Sequence, residues 1–201
     1  MNILFDLEGT LIDSKKLQIE VLERVFKRFG VDTKNINMIT LIGPPLINTF
    51  TKYFGRENAQ NAMVFYRYTF QNMQIKNINT FEQIKEILPI LKEKGYKLFT
   101  TSLQILEVVK RELEHLDLLQ YFDEIAGDCP ATPFTAKTEI VANVIKKFGL
   151  EKERTVFVGD TEFDAQSAEE NGIGFIQVAW GYGDKKDCVN TAEELLRAIE
   201  K

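Results

Sequence analysis

Histidine, cysteine and long apolar runs are scarce in this 201-residue chain, and each scarcity removes a class of function. The two cysteines, Cys129 and Cys188, are too few and too far apart for a disulfide framework or a paired-cysteine zinc site, and read as free thiols of a reducing compartment. The one histidine, His115, lies among Glu112, Glu114 and Asp117 in a helical stretch, which suits a surface residue better than a catalytic base. No apolar run approaches a membrane span. The N-terminal run meets Asp6 too early for a signal peptide, so a cytoplasmic protein with no membrane partner is expected. A basic surface is missing as well. With 25 Lys and Arg against 30 Asp and Glu, a net charge of −5 and no basic run longer than a pair, the chain lacks the means to bind nucleic acid as its main partner.

What is present is a core-forming composition, 44% apolar and 11% aromatic, in a length that fits one domain with an insertion or two small domains. Residues 2–7 form an apolar run without helical period that ends at Gly9-Thr10, the pattern of a buried strand entering a turn. From 14 to about 74 the pattern is helical, with a stop at Gly30 and a break at Gly43-Pro44-Pro45. The aromatics Phe65, Tyr66, Tyr68 and Phe70 fall in a helical pattern, and base-stacking platforms normally sit in basic surroundings, so core packing is preferred over base stacking. Strand and helix patterns then alternate: helices over 81–94, 105–115, 138–148, 165–171 and 192–199, and strands over 96–101, 124–127, 155–158 and 174–178. Alternation of this kind predicts an α/β fold with an open parallel sheet. Its ligands bind beyond the carboxyl ends of the strands, where Asp6, Thr101 and Asp160 would converge.

Two acidic strand ends carry the chemistry. In Asp6-Leu7-Glu8-Gly9-Thr10 and again in Gly159-Asp160-Thr161-Glu162-Phe163-Asp164, carboxylates follow a buried strand, where desolvation and mutual repulsion are unfavourable unless a cation compensates. An acidic turn leading into a helix cap, with Asp13 or Ser14 as the cap, would account for the first cluster alone. Two such clusters in one sheet point instead to a hard cation with oxygen ligands, such as Mg²⁺, whose usual substrate is a phosphate. Thr101-Ser102 ends another strand with hydroxyls and backbone donors. Lys137 opens a helix, where a lysine opposes the dipole by only a few tenths of a kcal/mol.

In order and spacing these elements resemble the haloacid dehalogenase superfamily of aspartyl-phosphate hydrolases, and within it the phosphoglycolate phosphatase-like branch. Four motifs carry the likeness: Asp6 to Leu11, Thr101-Ser102, Lys137, and Gly159-Asp160 through Asp164. Ile42-Gly43-Pro44-Pro45-Leu46 and Trp180-Gly181-Tyr182-Gly183 add to it. The resemblance implies a Rossmann-like core over 1–14 and 78–201 with a helical cap inserted at 15–77. It implies Asp6 as nucleophile, Glu8 as acid and base, and Thr101 and Lys137 as holders of the phosphoryl oxygens. Ser102 and Gly43 would contact substrate, and Asp6, Glu8 through its carbonyl, Asp160 and Asp164 would hold Mg²⁺. A small phosphorylated metabolite, phosphoglycolate by preference, would be the substrate of a monomer or homodimer. Related chemistries of the fold, such as a sugar-phosphate mutase, pyrophosphatase or nucleotidase, are the alternatives; a dehalogenase lacks the Asp160 and Asp164 pattern. Glu8 stands where the family usually has aspartate. A misplacement of about an ångström can cost on the order of 10²-fold in rate, so a phosphate-binding regulatory protein is the alternative from a different class. The enolase-phosphatase branch has Asp-x-Glu at this place and is catalytic.

Overall fold

The structure is a computed structural model that describes residues 1–73, 75–128 and 136–201; Cys129 lies outside them. The chain divides into two compact units, Met1–Asp13 with Asn79–Lys201, and Ser14–Ile78. In the first unit β1 (Asn2–Asp6), β4 (Lys97–Thr101), β5 (Thr155–Gly159) and β6 (Gly174–Gln177) form a parallel sheet in the order β4-β1-β5-β6. β1 is therefore central. The chain moves from β1 out to β4 and then returns to the other side at β5, so the strand order reverses beside β1, where a parallel sheet opens a crevice at its carboxyl edge.

Register explains which side chains build the core. Leu4 stands opposite Phe99 on one neighbour and Phe157 on the other. These three pack with Val141, Val144 and Ile145 of α6 (Lys137–Phe148), with Ala168 of α7 (Glu162–Asn171) and with Ile173. Each large side chain buried this way contributes about 1.5–3 kcal/mol. Strand alternation turns Ile3 and Phe5 to the opposite face, where Phe5 meets Phe122 edge to face at 6.2 Å. The same alternation leaves Asp6 as the last residue of β1, in register with Thr101 of β4.

Three differences from the expected elements have local causes. The strand expected over 124–127 is reduced to a single bridge between Glu124 and Phe99. There backbone bonds, Asp123 N to Leu98 O at 2.8 Å and Thr100 N to Glu124 O at 3.3 Å, are mixed with side-chain ones: Asp123 Oδ2 accepts from Leu98 N at 2.8 Å, and Thr100 Oγ1 accepts from Ala126 N at 3.0 Å. The helix expected from 165 begins at Glu162, because Thr161 caps it and Glu162 and Asp164 suit its positive N-terminus. A two-stranded antiparallel ribbon of β2 (Ile12–Asp13) and β3 (Asn79–Thr80) was not foreseen; two residues per strand are too few for a periodic signal. The first unit is completed by α4 (Glu82–Glu93), α5 (Leu106–His115) and α8 (Ala192–Ile199). His115 ends α5 exposed.

The second unit holds α1 (Lys15–Arg28), α2 (Leu46–Phe54) and α3 (Arg56–Asn72). Aromatic rings fasten it: Phe26 lies 5.1 Å from Tyr53 and 4.9 Å from Phe54, and Phe50 lies 6.1 Å from Tyr66. Tyr66 and Phe70 are buried, as core packing requires, whereas Tyr68 is 63% exposed. Among the described residues no helix is long and apolar enough to cross a membrane.

Candidate active site

Asp6, Asp160 and Asp164 come together at the crevice: each offers one carboxylate oxygen, these oxygens lie within 4.8 Å of one another, and all three residues are buried. Lys137, the first residue of α6, reaches into the group. Its ammonium hydrogen-bonds to Asp6 Oδ1 and lies 2.9 Å from Asp164 Oδ1. Two carboxylates at this range outweigh the unfavourable helix dipole by a wide margin, which gives the misfit of a lysine at a helix start its reason. Burial by itself would lower the Lys137 pKa; the charges of Asp164 and Asp6 more than reverse this, and the ammonium form is held.

The two loops that supply the aspartates are built for close approach. Gly9 has φ +92°, and a Cβ on it would lie 2.5 Å from Asp160 Oδ2, so only glycine fits this turn. Gly159 lets α7 come close in the same way, since a Cβ there would lie 2.5 Å from Asp164 Cβ. Asp160 is then fixed by donors: Tyr182 N at 2.6 Å and Gly183 N at 3.3 Å to Oδ2, and Thr10 Oγ1 at 3.4 Å to Oδ1. Burial nonetheless pushes its pKa up to about 6, with Asp164 adding to the rise and these backbone donors opposing it. Asp6 is also raised, by burial first and by Asp164 and Asp160 beside it, against the pull of Lys137.

The two oxygens of Asp164 have different duties. Oδ2 caps α7, accepting from Thr161 Oγ1 at 2.7 Å, Thr161 N at 3.0 Å and Asp160 N at 3.3 Å. Oδ1 is buried and faces the Lys137 ammonium at 2.9 Å. Three carboxylates that each offer an oxygen, with oxygen donors only and two negative charges left after Lys137 is counted, fit a hard divalent cation.

The remaining expected residues are placed as follows. Thr101 is buried at the end of β4, its hydroxyl donating to Phe5 O at 3.4 Å. Ser102 Oγ accepts from Gln104 N at 3.1 Å and so braces its own loop. Glu8 is half-buried and accepts from Gln104 Nε2 at 3.2 Å. Gly43 belongs to the second unit, with φ +100°. Trp180 Nε1 donates to Thr10 O at 3.0 Å, and the Tyr182 hydroxyl lies 3.3 Å from Asp13 Oδ1, so both brace the turn after β1. Sequence reasoning missed the Thr161 cap, although the spacing of Thr161 to Asp164 is that of a capping box. It missed Gln104 with no signal that could have revealed it.

Residues 3–178 match the family model for haloacid dehalogenase-like hydrolases. The chain belongs to this family. Among its relatives, the tyrosine-protein kinase PtkA of Mycobacterium tuberculosis is 28% identical over 182 residues, 90% of this chain; the chain spans 62% of that protein's length. A 5'-nucleotidase of Pseudomonas aeruginosa is 28% identical over 189 residues, 92% of this chain and 86% of that one. A phosphoglycolate phosphatase of Aquifex aeolicus is 29% identical over 181 residues, 90% and 85% of the two chains. The structure of a haloacid dehalogenase-like hydrolase from Streptococcus pneumoniae superposes with a TM-score of 0.87 at 27% identity, covering 98% of this chain and 97% of that one. Haloacid dehalogenase-like relatives thus share this α/β architecture over nearly its whole length.

Proposed function

We propose that the chain is a phosphatase that hydrolyses a small phosphorylated metabolite through an aspartyl-phosphate on Asp6. The observation that carries this reading is the position of the Asp6 carboxylate: at the end of the central strand, paired with Lys137 and beside Asp160 and Asp164. Mg²⁺ held by Asp6, Asp160, Asp164 and the Glu8 carbonyl would supply the positive charge that lets an anionic nucleophile approach an anionic ester.

The chain's own groups do the rest. An Asp6 oxygen attacks phosphorus, the ester P–O bond breaks, and the leaving oxygen takes a proton from the Glu8 carboxyl. Water then attacks the aspartyl-phosphate, Glu8 takes a proton from that water, and cleavage of the P–O bond to Asp6 frees inorganic phosphate and restores the carboxylate. Lys137 holds Asp6 in place and opposes the charge on the phosphoryl oxygens. The Thr101 hydroxyl, whose present bond to Phe5 O is long, can rotate onto one of those oxygens, and Ser102 stands next to it in the same loop. Phosphoglycolate is the first substrate to test, with a nucleoside monophosphate and pyrophosphate as rivals.

Phosphate release measured with Mg²⁺ over such a panel, with and without chelator, tests the reading. Turnover that requires the metal and falls at least 10³-fold in Asp6→Asn is expected, in keeping with loss of a covalent nucleophile. Turnover that survives Asp6→Asn would show the mechanism to be wrong.

A further inference from the structure

The Glu8 carboxylate does not depend on its own turn alone for its position. Gln104, 96 residues further along the chain, donates from Nε2 to Glu8 Oε1 at 3.2 Å. The backbone that carries Gln104 is pinned at several points. Its N–H donates to Ser102 Oγ at 3.1 Å, and its carbonyl accepts from Asp128 N at 2.6 Å. Two residues further on, Leu106 N donates to Asp128 O at 3.1 Å. Gly127 lies so close that a Cβ there would come within 2.9 Å of Gln104 O and 2.7 Å of Leu106 Cα. The amide is thus presented by a braced loop, and it reaches a side chain one methylene longer than an aspartate at the same place.

We propose that Gln104 is a positioning residue for the acid-base carboxylate, holding the longer Glu8 side chain in one orientation. The extra methylene adds a rotatable bond, and a carboxylate free to sample more rotamers spends less time aimed at the leaving oxygen. A neutral amide donor restrains it without adding a charge beside Asp6. It also binds the carboxylate through a single oxygen, Oε1, by the bond described above. The inference rests on the proposed phosphatase reading.

The test compares two esters with the full-length protein and Mg²⁺: an alkyl phosphate, phosphoglycolate, whose leaving oxygen needs a proton, and p-nitrophenyl phosphate, whose leaving oxygen does not. Gln104→Met removes the donor and keeps the length of the side chain. It should lower kcat/KM for the alkyl ester about 10- to 100-fold, and lower that for the aryl ester at least tenfold less, with KM changing little. Gln104→Glu, which turns donor into acceptor, should be no better than Gln104→Met. In a Glu8→Gln background Gln104→Met should cost nothing further on the alkyl ester, because the two residues then act as one unit. Equal losses on both esters, or additive losses in the double variant, would overturn the positioning role and leave the phosphatase reading in place. Failure of the wild-type chain to turn over either ester would overturn both.

Discussion

Replacing Glu112 with glutamine should make the protein more stable above neutrality and remove a pH dependence that the natural chain carries. Glu112 sits on α5 with no exposed surface, and neither carboxyl oxygen has a hydrogen-bond partner among the described residues. Burial first, and the nearby Glu8 charge second, push its pKa up to about 9, against the pull of Arg111. In the unfolded chain the same group ionises near its ordinary value of 4.5. Between those limits the folded protein keeps a proton that the unfolded chain has lost, so rising pH favours unfolding. The contribution is complete below about pH 4.5 and lost progressively as pH climbs towards 9. Each unit of pH within the window is worth about 1.4 kcal/mol, which sets a ceiling of about 5 kcal/mol at pH 8; relaxation around the ionised group brings the expected difference to about 2–4 kcal/mol. Glutamine keeps the volume and cannot ionise. Below pH 5 both side chains are neutral and similarly unsatisfied, so the two proteins should match there within about 1 kcal/mol. Urea unfolding of both proteins, followed by circular dichroism at unit steps from pH 5 to 9, measures the difference, in which the other titrating groups cancel. A difference that stays flat across that range would refute the reasoning.

Two further outcomes follow from the site. Lys137→Met leaves the Asp6 and Asp164 carboxylates buried and facing each other, and should cost about 3–5 kcal/mol of stability at pH 7, with part regained at pH 5 as the raised Asp6 carboxyl takes up a proton. Denaturant unfolding at the two pH values checks this, and a loss below 1 kcal/mol at pH 7 would count against a net-stabilising role for the ammonium. Gly9→Ala places a methyl group 2.5 Å from Asp160 Oδ2 on a backbone with φ +92°, and should cost about 1–3 kcal/mol and weaken the proposed Mg²⁺ binding at least tenfold. Calorimetric titration with Mg²⁺ measures it; an unchanged affinity would mean that the turn can shift without moving Asp160.

Much of the site was legible before any coordinates. An apolar run that stops at a carboxylate is a local signal, and it occurs at Asp6 and at Asp160, so both strand ends could be read from composition along a few residues. Lys137 was legible as a misfit at a helix start, with the cause of the misfit hidden. The reduction of that segment to a single bridge at Glu124 was not legible, because it depends on the Asp123 and Thr100 side chains sharing the edge of β4 with backbone bonds. Glu112 reads in sequence as one more charge of a polar helical stretch, and only its burial on α5 shows that its proton stays on.

The division has a physical reason. Strands, helices and the acidic ends of strands come from short-range patterns, which is why the sequence by itself determined the α/β class and marked out the candidate aspartates. Which oxygen of Asp164 caps a helix and which faces the Lys137 ammonium depends on groups brought together across the sheet. So does the support of Glu8 by Gln104 from 96 residues away. Those partners are chosen by strand order and loop closure, through hydrogen bonds that hold only within about 3 Å, and only the tertiary structure sets distances on that scale.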